Sequence, residues 1–151
     1  VDGNVVMPFK YHGEVFYYQI RFSGKTKIRY LFPQISAKPP YVIDHGQGLR
    51  KIIVVEGVYD AIAALIMAPD YIPFAVLGSS ISDYQLDFLS EYVPEKILCY
   101  LDDTEKSMSV AKKIRKRIDY CPINIIKSNG EDPEECMKRK LRAGNNLQWI
   151  K

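Results

Sequence analysis

Cysteine is scarce in this chain and poorly placed for its usual structural roles. Cys99, Cys121 and Cys136 are odd in number, widely spaced, and form no C-x-x-C pair. That arrangement suggests neither a zinc site nor a disulfide framework. A reducing, cytoplasmic compartment is the expectation that follows. Long hydrophobic runs are missing as well. No apolar stretch nears the roughly 18 residues of a membrane span, and no signal peptide is read, so no membrane association is expected. An excess of one charge sign is also lacking, at a net +3 over 151 residues, so the total alone implies no particular partner.

What is present is an ordinary globular composition, 47% hydrophobic and 26% charged, with enough chain for one domain and a small appended subdomain. The charge is unevenly distributed. Residues 1–50 hold seven Lys+Arg against three Asp+Glu, and residues 51–151 hold fourteen against fifteen. A basic β-rich subdomain with its connector over 1–50 and a second domain over 51–151 are therefore expected. A basic front joined to a domain with acids at its strand ends suits a polyanion handled by metal-assisted chemistry. Solvated surface is the default explanation for most of that excess.

Residues 4–33 read as an antiparallel β unit. Val5-Val6-Met7-Pro8-Phe9 leads to a turn at His12-Gly13, then to an aromatic-rich strand over 14–22. A turn at 23–26 precedes a third strand over 27–32, ended by Pro33. Arg21, Lys27 and Arg29 alternate within these strands, with Tyr18 and Tyr30 nearby. Cations interleaved with aromatics suit the phosphates and bases of a single strand. An amphipathic sheet with snorkelling cations is the other reading. Lys38-Pro39-Pro40 cannot continue a helix or a central strand, so a connector spans roughly 33–50.

From residue 51 the pattern alternates strand and helix. Ile52-Ile53-Val54-Val55 is a continuous aliphatic run of the kind buried on both faces in a parallel sheet. A helix over 58–68, a strand over 74–77 closed by Gly78, and a helix opened by Ser82 with Gln85 three residues on follow. A strand over 96–101 precedes Asp102-Asp103, then come a helix near 107–118 with a basic outer face, a strand over 123–126, and a last helix capped by Asp132 with Pro133 at its first position. Helical crossovers between hydrophobic strands imply an α/β fold with a parallel sheet of about four strands flanked by helices.

Two of these strands end in acids. In a parallel sheet their ends lie on one edge, so Glu56 and Asp102-Asp103 can converge although far apart in sequence. Clustered carboxylates repel unless a cation sits among them. Oxygen ligands without His or Cys select magnesium or manganese, the ions of phosphoryl-transfer chemistry. A solvated loop acid at Glu56 and a helix cap at Asp102-Asp103 are the plainer alternatives.

The joint pattern resembles the Toprim domain of primases, topoisomerases, small nucleases and recombination-repair proteins. Glu56-Gly57-Val58-Tyr59-Asp60 matches its E-G-x-x-D, and Asp102 matches the first position of its D-x-D. Among these the chain is most similar to DnaG-type primases, bacterial or phage-type. Residues 4–9, 18–21 and 29–31 resemble the basic subdomain that precedes the primase Toprim. Gly78-Ser79-Ser80-Ile81-Ser82 resembles a G-T-x-L-T turn, and Gly130-Glu131-Asp132-Pro133 with a later Gly144 resembles the primase tail. The resemblance implies a Rossmann-like Toprim fold and the synthesis of short RNA primers on single-stranded DNA from ribonucleoside triphosphates. It implies Mg²⁺ or Mn²⁺ as cofactor, with Glu56 as metal ligand or base, Asp102 as metal ligand and Asp60 as support. Arg21, Lys27 and Arg29 would contact template or nucleotide phosphates, and Gly57 and Gly78 would serve as structural turns.

Two features depart from the family pattern. Thr104 stands where the second acid of D-x-D belongs, leaving Asp103 or Glu105 to replace it, and Ser107 stands near an expected glycine. Neither the cysteines of a primase zinc module nor a G-x-x-x-x-G-K-[ST] helicase motif occurs, so the chain is expected to be the core of a longer protein that meets a replicative helicase through flanking regions. A non-catalytic nucleic-acid-binding Toprim module and a Toprim nuclease remain alternatives. A phosphoacceptor receiver domain fits less well, because its acid pair follows the first strand.

Overall fold

A computed structural model of the chain describes residues 3–23, 27–34, 37–46, 48–127 and 130–142. Gly144 and most of the turn expected at 23–26 lie outside the described residues. Two compact units form, Val1–Pro39 and Pro40–Lys151. The division precedes the expected junction at 50 because the connector adds a short edge strand to the second unit's sheet.

The first unit is a three-stranded antiparallel sheet of β1 (Val5–Tyr11), β2 (Glu14–Arg21) and β3 (Tyr30–Leu31), in that order. The β1–β2 turn has positive φ at both His12 (49°) and Gly13 (86°), the backbone that lets a tight hairpin follow the strand twist. Met7, Phe9, Tyr17 and Gln19 turn inward, and the Phe9 and Tyr17 rings meet edge to face at 5.1 Å. The Tyr17 hydroxyl donates to the Pro33 carbonyl at 3.1 Å. The third strand is much shorter than the expected 27–32. Its ladder holds only two pairs, Ile20 with Leu31 and Arg21 with Tyr30, and Pro33 just beyond has no N–H to extend it.

The second unit holds a five-stranded sheet of β4 (Tyr41–Val42), β5 (Lys51–Val55), β6 (Ile72–Ala75), β7 (Lys96–Cys99) and β8 (Ile123–Ile125). Its order is β4-β6-β5-β7-β8, with β4 antiparallel and the other four parallel. Helices α1 (Val58–Met67), α2 (Asp83–Glu91), α3 (Thr104–Arg117) and α4 (Pro133–Arg142) complete it. Because β5 is central, Ile52, Ile53, Val54 and Val55 are all 0% exposed, which explains why this strand reads as a solid apolar run. Burying each such side chain contributes about 1.5–3 kcal/mol.

The order carries the functional consequence. From β5 the chain crosses to β6 on one side, then returns to place β7 on the other side of β5. Connections therefore leave adjacent strands in opposite directions. The crevice this opens, beyond the carboxyl ends of β5 and β7, is where open α/β sheets bind ligands. Glu56 follows β5 there, and Asp102 follows β7.

Candidate active site

Glu56 and Asp102, 46 positions apart in sequence, lie close enough across this crevice for the charge of Glu56 to act on the Asp102 carboxyl. Burial is the main cause of an upward shift of the Asp102 carboxyl, and the fields of Glu56 and Asp132 add to it, while Lys106 opposes it. The Lys106 Nζ lies 3.3 Å from Glu56 Oε2.

Asp60 is buried under the site, in the first turn of α1. Its Oδ2 accepts the Gly57 backbone N–H at 2.9 Å and its Oδ1 accepts that of Glu134 at 3.4 Å. One carboxylate thus ties the β5–α1 turn to the start of α4. Burial, followed by the charge of Asp132, pushes its pKa up to about 7, against the pull of the Gly57 N–H. A Cβ on Gly57 would stand 3.2 Å from Asp60 Oδ2, so a larger residue there would press on this bond.

Asp103 is extended and its Oδ1 accepts the Glu105 N–H at 2.6 Å. It is the N-cap of α3, which begins at Thr104, three residues before the expected start. Glu105 lies in the first helical turn and is exposed. Buried Ser107 accepts the Leu101 N–H on its Oγ at 2.9 Å, fastening the strand end to the helix. Asp132 caps α4 through Glu135 N–H at 2.7 Å and adds its charge to both Asp60 and Asp102. The sequence reading assigned it only a capping role and made nothing of Lys106. A Lys two positions beyond an interrupted D-x-D was the available signal.

At the end of β6, Leu77 rather than Gly78 takes the left-handed backbone, with φ of 60°. Its N–H donates to the Glu56 carbonyl at 2.8 Å, so a backbone conformation costing about 1–2 kcal/mol sits against the acid-bearing turn. In the first unit, Arg21 lies over the Tyr30 ring at 5.8 Å. Lys27 and Arg29 are exposed and precede β3 rather than alternating within it.

Among the described residues, no three His, Cys, Asp or Glu side chains group closely enough to hold a metal ion unaided. Magnesium commonly binds through one or two carboxylates, with substrate phosphates and water completing its shell. The Glu56–Asp102 pair, the first partly buried and the second exposed, with the Asp132 charge nearby, fits that mode of binding.

Residues 53–137 match the family described as Toprim-like. The chain belongs to that Toprim-like family. A DNA primase of Thermotoga maritima is 27% identical over 92% of the chain, which spans only 26% of that relative's length. Among solved structures, a DnaG primase catalytic domain bound to ssDNA superposes with a TM-score of 0.69 at 19% identity, over 93% of this chain and 49% of that one. The primase fragment of the bacteriophage T7 primase-helicase protein does so with 0.67 at 17% identity, over 99% and 64%. The Toprim chain therefore has the fold of primase catalytic cores.

Proposed function

We propose that this chain is part of the catalytic core of a DNA primase that makes short RNA primers on single-stranded DNA. The observation that carries the reading is the meeting of Glu56 and Asp102 at the carboxyl ends of β5 and β7. These two residues would hold Mg²⁺ or Mn²⁺, which when bound supplies electrostatic stabilisation of charge building on a transferring phosphoryl group. Glu56, if not occupied as a ligand, is the base that accepts the proton of a 3′-hydroxyl. Asp60 holds the Gly57 turn and the start of α4 in register, so that Glu56 and Asp132 keep their places. Arg21, Lys27 and Arg29 take the phosphates of template or incoming nucleotide. Asp103 and Glu105 are the remaining acids near the site, the first engaged as a cap and the second exposed. A replicative helicase reached through flanking regions and a cytoplasmic setting belong to the same reading.

One observation favours the non-catalytic alternative, a Toprim module that binds nucleic acid without extending it: Thr104 and the Lys106–Glu56 pair leave fewer acids for cations. The two separate on incubation with single-stranded DNA, Mg²⁺ or Mn²⁺ and labelled ribonucleotides. Primers that disappear in Glu56→Ala support synthesis. DNA bound without product in either protein supports the binding module, and shortened DNA supports a nuclease.

A further inference from the structure

Lys106 stands in the first turn of α3 and reaches back to a carboxylate fifty positions earlier in the chain. The contact joins the two strand ends that form the crevice, since α3 follows β7 and Glu56 follows β5. Glu56 and Lys106 side chains are 23% and 36% exposed, so the pair is shielded from solvent more than an ordinary surface pair. The charges of Asp102 and Asp103 act on the same ammonium. One fixed positive charge therefore serves a cluster whose acids would otherwise repel. Among the described residues, no other ion pair is seen at Glu56.

We propose that the Lys106 ammonium is a built-in counter-cation of this site, which competes with a divalent ion for Glu56 and weakens the binding of free metal. The inference rests on the reading of Glu56 and Asp102 as the metal-holding pair. It follows from charge and placement: a cation 3.3 Å from a carboxylate oxygen occupies the lone-pair region a metal would take, and repels a second positive charge arriving there. Residue 104, a threonine, offers no further acid to offset that repulsion.

Titration of the whole chain with Mn²⁺, following the free-ion signal by electron paramagnetic resonance, tests this without reference to activity. Lys106→Met keeps the aliphatic stem and removes the charge, and is expected to bind Mn²⁺ about tenfold more tightly than the parent. Lys106→Arg keeps the charge and is expected to bind as the parent does. In a Glu56→Gln background, where only the repulsion is left to relieve, Lys106→Met is expected to bring a smaller gain. Parent binding that Lys106→Met leaves within twofold overturns this inference alone. So does a gain in Lys106→Arg equal to that in Lys106→Met, or a gain that Glu56→Gln leaves undiminished. No Mn²⁺ binding by any of these proteins overturns the metal-holding pair, and this inference with it. Thermal melts of each variant establish that the titrated protein is folded.

Discussion

Asp60 shows how one side chain can be structural and electrostatic at once. Its two backbone hydrogen bonds favour the charged form, yet burial and neighbouring acids outweigh them and lift its pKa from 3.8 to about 7. The folded protein therefore retains, between about pH 4 and 7, a proton that the unfolded chain has released. Stability from this group is full below the unfolded value and is lost as pH rises through the folded one, a decline of about 4 kcal/mol. The upward shift of Asp102 acts in the same direction. Urea denaturation in chelator across that range should show the decline, and Asp60→Asn should flatten it; equal slopes in both proteins would refute the assignment. Ser107 offers a cleaner case. With its hydroxyl gone, the buried Leu101 N–H loses its acceptor, so Ser107→Ala should cost about 1–2 kcal/mol in the same measurement. The sequence showed Asp60 as a motif member, but not that α4 would close over it.

At the scale of elements, the signals that proved readable were local ones. Ser82 accepts the Gln85 N–H at 3.2 Å while Gln85 Oε1 accepts the Ser82 N–H at 3.1 Å, the reciprocal cap expected from their spacing. Pro133 opens α4 behind Asp132 for the same kind of reason. The start of α3 was harder, because Asp103 could serve as cap or ligand and its neighbours do not say which. The structure gives it the cap. Asp103→Ala should lower stability by about 1 kcal/mol in a thermal melt, and Asp103→Asn should largely restore it. Calorimetry should show Mn²⁺ affinity nearly unchanged in Asp103→Asn; a tenfold loss there would make Asp103 a ligand. The third strand of the first unit failed for a tertiary reason: residues 27–29 have the composition of a strand, but the ladder beside β2 holds only two pairs.

Across the whole molecule, strand order was the property the sequence withheld. The apolar runs identified four strands of this sheet, but nothing in them says that β7 returns to the far side of β5. Had β6 lain between them, Glu56 and Asp102 would be separated by a strand. The proposed role of the first unit rests on its charge. If Arg21, Lys27 and Arg29 take phosphates of single-stranded DNA, replacing all three with Ala should reduce the slope of log affinity against log salt by about 2, read by fluorescence anisotropy. An unchanged slope would remove them from the interface. The central claim is that Glu56 and Asp102 form one divalent-cation site, and its most direct test is isothermal titration with Mn²⁺. The parent protein should bind the ion, and Glu56→Gln and Asp102→Asn should each lose most of that affinity while melting cooperatively. Binding that persists undiminished in both folded variants would contradict the account.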